Sequence, residues 1–302
     1  MKKILVVCGA TASGKTALAV ECAKMLDGEV ISADALLVYQ RLQIGTAKPS
    51  LEERGGIPHH MIDVVSPTQS FSVSDYEEGA LKALDGILLR GKTPIVCGGT
   101  GFYIKSLLFK SSFGNAPANL AVREKYERIE REKGREYLHS LLREVDEESA
   151  EKLHFNDVKR VIRALEIFET TGKRKSEQSD GEIPRFPFVA VSFDWERELL
   201  YRRIDERVDK MMQEGLVDEV RSLLACGVSE NAQCMQGIGY KEIVEGLKNG
   251  DSNSTMSDII KKNTRNYAKR QLTFFKKMQN LHAIQPKAME DAVREVIEIY
   301  DD

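Results

Sequence analysis

Short runs of apolar, mostly β-branched residues alternate with amphipathic stretches over the first third of the chain. Such runs are typical of strands that are buried on both faces of a parallel sheet. They lie at residues 4–8, 30–32, 61–65 and 94–97. Helical spacing between them predicts helices over 16–26 and 73–89, and Ser72 or Ser74 lies near the N-cap of the second helix. This alternation favours an α/β fold with crossover helices.

The pattern changes after residue 114, where a break that contains Pro117 precedes a long stretch rich in Glu, Lys and Arg. Apolar residues at helical spacing predict solvated helices over 123–153 and 156–170, with Gly172 after the second. A polar loop then leads into another buried strand at 187–193. We therefore predict a catalytic core formed by 1–114 and 187–302, interrupted by a helical insertion domain at 115–186. The remaining elements that we expect are helices at 198–224, 257–278 and 288–300 and an edge strand at 281–284.

Composition bounds the class of protein without identifying it. The chain has 302 residues, of which 42% are hydrophobic and 30% charged, so a core can form without disulfides or metals. The net charge of −3 gives no indication of nucleic-acid binding, although a local basic patch suffices to bind phosphates. Five scattered cysteines, the lack of a signal peptide and the lack of an apolar run of about 18 residues predict a cytoplasmic protein without membrane contact.

One motif carries the clearest chemistry. The sequence GATASGKT fits G-x-x-x-x-G-K-[ST], follows a predicted strand and precedes a predicted helix, as a phosphate-binding P-loop requires. Its glycines let successive N–H groups turn inward, Lys15 adds a full positive charge, and the Thr16 hydroxyl is placed to bind Mg²⁺. The predicted diphosphate site therefore comprises Gly9, Ala10, Thr11, Ala12, Ser13, Gly14, Lys15 and Thr16.

Two further strand ends offer candidate chemistry beside the P-loop. Asp34 follows the second predicted strand, where it can bind Mg²⁺ through water, accept a proton, or simply cap a helix. Thr100 lies in the turn Gly98-Gly99-Thr100-Gly101 after the strand at 94–97. It can donate to a phosphate or leaving group, or the turn can be structural.

Basic residues are concentrated in two predicted helices. The segment 264–277 interleaves arginines and lysines with Tyr267, Phe274 and Phe275, and a second cluster comprises Lys159, Arg160 and Arg163. Either pattern is compatible with RNA binding or with an ordinary solvated face. The pair His59-His60 has no sequence neighbour suited to complete a metal site, so we expect it to be structural.

Taken together, these stretches resemble the tRNA dimethylallyltransferases (tRNA isopentenyltransferases) over almost the whole chain. The resemblance rests on GATASGKT at 9–16, SADALLVYQRLQIGTAKP at 32–49, PHHMIDVVSPTQSFSVSDY at 58–76, GGTGFYIKSLL at 98–108, HFNDVKRVIRALEIFETTGK at 154–173, GLVDEV at 215–220, GIGYKE at 237–242 and TRNYAKRQLTFF at 264–275. Four residues depart from the usual pattern, namely Ala10, Ala35, Phe155 and Phe274; none replaces a charged group.

The resemblance implies a P-loop NTPase-like parallel sheet with flanking helices and a helical insertion domain that contacts tRNA. It also implies transfer of a dimethylallyl group from dimethylallyl diphosphate to N6 of adenosine 37 in tRNA, by a Mg²⁺-dependent enzyme that we expect to be a monomer. Asp34 resembles the general base, Thr100 a residue that meets the substrates, and Lys15 a stabiliser of the departing pyrophosphate. Either Arg203 or Arg207 is expected to reach the diphosphate.

The tRNA contact surface follows from the same resemblance, and adenosine 37 must leave the anticodon-loop stack to reach a buried site. The residues implied are Asp34, Ala35, Leu36, Leu37, Thr100, Arg123, Lys159, Arg160, Val161, Ile162, Arg163, Gln236, Gly237, Ile238, Gly239, Tyr240 and Lys241. Three alternatives stay open at this point: a P-loop kinase or nucleotide hydrolase, an RNA-binding protein switched by a nucleotide, and an enzyme that prenylates free adenine nucleotides.

Overall fold

The computed structural model describes residues 2–110, 119–177 and 183–302. It divides into two compact units, which we call the core unit (Met1–Leu108 with Pro184–Asp302) and the insertion unit (Phe109–Ile183). The predicted boundary between residues 114 and 115, and the break around Pro117, lie outside the described residues.

The core unit contains a six-stranded, all-parallel sheet with the order β3-β2-β4-β1-β5-β6. The strands are β1 Ile4–Cys8, β2 Gly28–Ser32, β3 His59–His60, β4 Thr93–Gly98, β5 Phe188–Phe193 and β6 Leu281–Ile284. The predicted α/β class and its parallel sheet are therefore confirmed.

Twelve α-helices accompany the sheet in the described part of the chain. In chain order they are α1 Lys15–Met25, α2 Val73–Leu89, α3 Gly101–Leu108, α4 Leu120–Lys133, α5 Arg135–Val145, α6 Glu147–Lys152, α7 Val158–Thr171, α8 Arg197–Gln213, α9 Leu216–Ala225, α10 Tyr240–Asn249, α11 Asn253–Phe275 and α12 Met289–Asp301. A 3-10 turn covers Gln233–Gln236. In the ranges 2–110, 119–177 and 183–302, no helix has both the length and the apolar character needed to cross a membrane.

The strand order sets the position of everything that follows. β1 lies at the centre of the sheet, with Val6 opposite Val96 of β4 and Ala190 of β5. Every residue of β1, β2, β4 and β5 is buried, as the apolar runs within them predict, and this includes the charged Glu29 of β2. Because β2, β4 and β1 are neighbours and parallel, the loops that leave their carboxyl ends emerge side by side, which is where ligands bind in open α/β sheets.

The third strand and one long helix differ from the sequence prediction. The strand predicted at 61–65 is wrong: pairing with β2 involves His59 and His60 instead. Met61 (φ +61°) and Asp63 (φ +58°) adopt left-handed backbone conformations, which end the strand. His60 also has an acidic partner, since its Nε2 lies 2.7 Å from Glu29 Oε2.

The helix predicted at 198–224 is two helices, α8 and α9. Gly215 has φ +96°, a left-handed conformation that glycine adopts without a steric penalty and that ends the helical path. The helices α3 and α10 were not predicted; before α3, the glycine-rich turn at 98–101 indicated only a turn.

In the insertion unit, a small apolar core is centred on Leu138, Leu142, Val161 and Leu165. Beside it, the side chain of Glu166 is fully buried and receives three donors. Arg123 Nε donates to Oε1 at 2.9 Å, the backbone N–H of Asn119 donates to the same oxygen at 2.7 Å, and Arg163 donates to Oε2 at 2.6 Å. Burial alone would raise the pKa of Glu166, but these donors outweigh it and hold the pKa below its ordinary value.

We expect Glu166→Gln to lower the free energy of unfolding by about 2 kcal/mol at pH 7, because hydrogen bonds between charged groups are replaced by a poorly matched amide. Since the folded pKa is depressed, the contribution of Glu166 is present above its unfolded pKa of about 4.3 and is lost as the pH falls toward the folded value. Urea unfolding at pH 7 and pH 3.5 measures both effects. Glu169→Gln, one helical turn away, is the control: Glu169 accepts from the solvent-accessible Lys125 and from the Tyr126 hydroxyl, and its loss should cost less than about 1 kcal/mol. Equal losses for the two variants would contradict the assignment.

Candidate active site at the carboxyl edge of the sheet

The GATASGKT loop joins β1 to α1, in the strand–loop–helix context that the motif requires. Gly9 (φ +132°), Ala12 (φ +61°) and Gly14 (φ +91°) adopt positive φ, so the chain coils around its own N–H groups. The loop ends at the N-terminus of α1, whose partial positive charge favours an anion. Lys15 Nζ donates to the Ala10 carbonyl at 3.2 Å, which places the ammonium group against the loop.

Two side chains from beyond β5 hold this loop from outside. Trp195 Nε1 donates to the Ser13 carbonyl at 2.9 Å, and Arg203 Nε donates to the Ala12 carbonyl at 2.8 Å. The Arg203 guanidinium also lies 4.5 Å from the Trp195 ring centroid, a cation–π contact. The position of Arg203 is therefore fixed by the loop backbone and the indole.

Arg207, one helical turn further along α8, points to the interior of the site. It donates to the Thr46 carbonyl at 3.3 Å and forms no ion pair with a carboxylate in the described ranges. Burial lowers the pKa of Arg207, and burial also lowers the pKa of Lys15, which the charge of Arg207 depresses further. Two desolvated cations that face one cavity form a site for a polyanion.

Asp34 follows β2 and caps a turn. The alternative that Asp34 caps a helix is wrong, because no helix begins there. Its Oδ1 accepts from the backbone N–H groups of Leu36 at 2.9 Å and Leu37 at 3.3 Å. Thr100, at the start of α3, closes the same turn, because its Oγ1 accepts from the Ala35 N–H at 3.0 Å and its own N–H donates to the Ala33 carbonyl at 3.0 Å. The ends of β2 and β4 are thereby joined around Asp34.

Two cavities meet at Asp34. The first, which we call the P-loop cavity, is lined by Lys15, Thr16, Ser32, Asp34 and Arg207, among others. The second, which we call the wide cavity, is lined by Asp34, Thr100, Arg207, Gln236, Tyr267 and Arg270, among others. Asp34 and Arg207 line both, so the carboxylate lies between a cationic compartment and a larger, mainly apolar one.

This chain matches family models and known proteins over nearly its whole length. A family model described as IPP transferase matches residues 37–278, and one described as Isopentenyl transferase matches residues 2–65. The tRNA dimethylallyltransferase of Acetivibrio thermocellus is 47% identical over 94% of this chain and 92% of its own length, and that of Bacillus cereus is 46% identical over 91% and 87%.

Solved structures agree with the sequence relatives. A tRNA isopentenylpyrophosphate transferase from Bacillus halodurans superposes with a TM-score of 0.74 at 35% identity, covering 100% of this chain and 97% of that one. A eukaryotic dimethylallyltransferase, described as acting on tRNA, reaches a TM-score of 0.87 at 30% identity, covering 100% of this chain and 79% of that one. The chain belongs to the tRNA dimethylallyltransferase family. The resemblance inferred from its motifs is thereby confirmed.

The residues that the family resemblance implied for tRNA binding fall into several environments within the core unit. Ala35, Leu36, Gln236, Gly237, Ile238 and Gly239 line the wide cavity, whereas Leu37 lines the P-loop cavity. Lys241 is exposed and lies 3.7 Å from Glu245. Tyr240 is buried, and its hydroxyl donates to Glu219 Oε1 at 2.7 Å.

In the insertion unit, the predicted contact residues all belong to α7 or α4. Lys159 and Arg160 are exposed, and Arg160 lies 3.1 Å from Asp157. Val161 and Ile162 are buried in the local core, while Arg163 and Arg123 are engaged by Glu166. The exposed cations of this set are therefore Lys159 and Arg160.

Three residues at the site were not among the sequence candidates. The Ser32 hydroxyl is buried in the P-loop cavity and has no hydrogen-bond partner in the described chain. Tyr267 was noted only as part of a basic–aromatic segment, but it lines the wide cavity, where burial and, after it, the nearby Asp34 raise the pKa of its hydroxyl to about 12. Gln271, on the same helix, reaches the P-loop itself. For Ser32, its position two residues before Asp34 was the available signal.

A half-buried carboxylate fixes the loop that forms one wall of both cavities. Glu219 of α9 accepts from the backbone N–H groups of Gln43 at 2.9 Å, Ile44 at 2.8 Å and Gly45 at 3.2 Å, in addition to the Tyr240 hydroxyl. A Cβ on Gly45 would lie 2.6 Å from the Tyr240 ring, so only glycine allows this approach. The loop presents Thr46 and Ala47 to the P-loop cavity.

We expect Glu219→Ala to lower the free energy of unfolding by about 3 kcal/mol, because three backbone donors and a buried phenol lose a charged acceptor. Tyr240→Phe removes only one of the four donors and should cost about 1 kcal/mol. Urea unfolding of both variants gives the comparison. A smaller loss for Glu219→Ala than for Tyr240→Phe would show that the carboxylate does not anchor the loop.

Proposed function

We propose that this chain transfers a dimethylallyl group from dimethylallyl diphosphate to N6 of adenosine 37 in tRNA, and releases pyrophosphate. The observation that carries the proposal is the position of Asp34 at the junction of two cavities. The P-loop cavity is cationic, and the wide cavity is larger and mainly apolar, as a site for a nucleobase would be. Membership of the tRNA dimethylallyltransferase family supports the same chemistry. The bond from the allylic carbon to the diphosphate oxygen breaks, and a bond from that carbon to N6 forms.

The P-loop cavity suits the leaving group. Negative charge develops on pyrophosphate as the allylic bond breaks, and the loop N–H groups, Lys15 and Arg207 are placed to stabilise it. Because Lys15 and Arg207 are desolvated and lack a carboxylate ion pair in the described residues, their fields act on the ligand with little screening. Arg203 serves the same site indirectly, by fixing the Ala12 carbonyl of the loop.

Asp34 is the proposed base. Its Oδ1 is committed to two backbone donors, whereas its Oδ2 forms no hydrogen bond within the described ranges. The proton released from N6 as the new carbon–nitrogen bond forms passes to this carboxylate. Thr100 fixes the turn that carries Asp34 and lines the cavity in which the base would lie.

The P-loop cavity also offers oxygen ligands of the kind that Mg²⁺ prefers. These are the hydroxyls of Thr16 and Ser32, while Asp34 would reach the ion through water and so keep its free carboxylate oxygen for the proton. No cluster of three His, Cys, Asp or Glu side chains suited to a metal occurs in the part of the chain that is described, but Mg²⁺ on a diphosphate needs only one or two protein ligands. Bound there, Mg²⁺ would neutralise charge on the pyrophosphate.

The tRNA would contact the wide cavity through residues 35–36 and 236–239, and the insertion unit through Lys159 and Arg160. These two cations would attract the phosphate backbone of the tRNA, an attraction on which the binding of any tRNA depends. We place the reaction in the cytoplasm, where the tRNA substrate is found, and we expect a monomer to suffice.

The direct test is to incubate the protein with dimethylallyl diphosphate, Mg²⁺ and unmodified tRNA, then to digest the tRNA and weigh the nucleosides. We expect the mass of one dimethylallyl substituent on adenosine 37. Asp34→Asn should lower turnover by about 10²-fold or more, through loss of the base, while its tRNA affinity is retained. ATP hydrolysis without a mass gain would indicate a nucleotide hydrolase, and modification of free adenine nucleotides alone would indicate a different acceptor.

A second prediction separates the two arginines of α8. Arg207→Gln should lower turnover by about 10²-fold and weaken pyrophosphate binding, because a desolvated cation of the anion site is removed. Arg203→Gln removes a backbone contact of the loop, so we expect a loss of only about tenfold. Steady-state kinetics and calorimetric titration with pyrophosphate give both quantities. The assignment is wrong if Arg203→Gln weakens pyrophosphate binding more than Arg207→Gln does.

A further inference from the structure

The side chain of Gln271 connects the two loops between which the proposed reaction takes place. Gln271 lies on α11, far along the chain from both loops, and is 6% exposed. The N–H of Thr11 in the P-loop donates to its Oε1 at 3.0 Å, and its Nε2 donates to the carbonyl of Gly99, beside Thr100, at 2.9 Å. One amide group therefore joins the phosphate-binding loop to the turn that closes on Asp34.

The local structure is built to admit this side chain. A Cβ on Gly99 would lie 2.2 Å from Gln271 Nε2 and 3.2 Å from the Gly9 carbonyl, so glycine is required where the two loops and the amide converge. Neighbouring residues of α11 support the same contact. Ala268 packs in a small cluster with Ala10 of the P-loop, and a Cβ on Gly101 would lie 2.2 Å from the Phe274 ring.

A side-chain amide matches both partners at once, since one partner is a donor and the other an acceptor and the amide carries one group of each kind. A carboxylate would still accept from Thr11 but would oppose the Gly99 carbonyl. An apolar side chain of similar size would leave a buried N–H and a buried C=O without partners. The chemistry of the bridge thus specifies glutamine at this position.

We propose that Gln271 is a positioning residue that sets the separation between the leaving-group site and the acceptor site, an inference that rests on the proposed transfer. The allylic carbon is attached to a diphosphate held by the P-loop, and the attacking nitrogen is held beside Asp34 and Thr100. The reacting atoms must approach to about 3–3.5 Å with correct alignment, and small displacements lower the rate strongly. The Gln271 bridge is a direct side-chain link between the two loops that carry these groups.

The test measures single-turnover rates at saturating dimethylallyl diphosphate and tRNA, together with melting temperatures and the affinities for pyrophosphate and for tRNA. Gln271→Met should slow the transfer step at least about tenfold, while both affinities stay within about threefold of the wild type. Gln271→Glu, which keeps the bond from Thr11 and opposes only Gly99, should also slow it. Thr273→Val is the matched control on α11, since it removes a hydroxyl bonded only to the Lys269 carbonyl of its own helix, and it should keep the wild-type rate.

A double-mutant cycle with Thr100→Ala distinguishes positioning from a general effect on stability. If Gln271 acts through the turn that carries Thr100, Gln271→Met should cost less than about threefold in the Thr100→Ala background. Independent, additive losses, or a folded Gln271→Met protein with the wild-type rate, would overturn the inference while leaving the proposed function intact. If Gln271→Met does not fold, Gln271→Glu decides by the same criteria. A wild-type protein that transfers no dimethylallyl group to tRNA overturns the proposed function, and this inference with it.

Discussion

The arrangement of charge around Asp34 is the constraint on which the rest of the site depends. Two desolvated cations, Lys15 and Arg207, face the P-loop cavity, and a carboxylate stands at its border without forming an ion pair with either. Had Asp34 closed directly on one of the cations, it would have neutralised the anion site and lost its own freedom to accept a proton. The backbone donors of Leu36 and Leu37 prevent this by fixing one carboxylate oxygen.

Keeping these charges apart requires rigid loops, and the rigidity comes from outside the loops. The P-loop is held by Trp195 and Arg203 from the segment after β5, and by Gln271 from α11. The loop that forms the opposite wall is held by Glu219 from α9. Each of these anchors is a polar side chain that binds backbone groups, so the anchors fix conformation without adding a competing ligand to the cavity. The helices after β5 therefore act chiefly as supports for loops that come from the first part of the chain.

Local sequence patterns predicted those parts of the structure that local forces determine. The buried strands β1, β4 and β5, the edge strand β6, the P-loop and the positions of Asp34 and Thr100 at strand ends all follow from apolar runs and glycine-rich turns. The third strand was misplaced because the left-handed conformations of Met61 and Asp63 leave no mark in residue type. Arg203 and Arg207 could not be separated either: they lie one turn apart on α8, and only long-range contacts, of Arg203 with Trp195 and the Ala12 carbonyl and of Arg207 with the Thr46 carbonyl, give them different surroundings.

The long-range contacts also change the meaning of the basic residues in the insertion unit. As a sequence pattern, Lys159, Arg160 and Arg163 form one cationic cluster on α7, with Arg123 as a further contact. In the structure, Arg163 and Arg123 both engage the fully buried Glu166, so one of their two positive charges is neutralised within the unit. Charge that stabilises the unit is thus distinct from charge that is exposed to a ligand. The exposed pair Lys159 and Arg160 carries the electrostatic part of the proposed tRNA contact, while Glu166 and its arginines keep α7 in the position from which that pair projects.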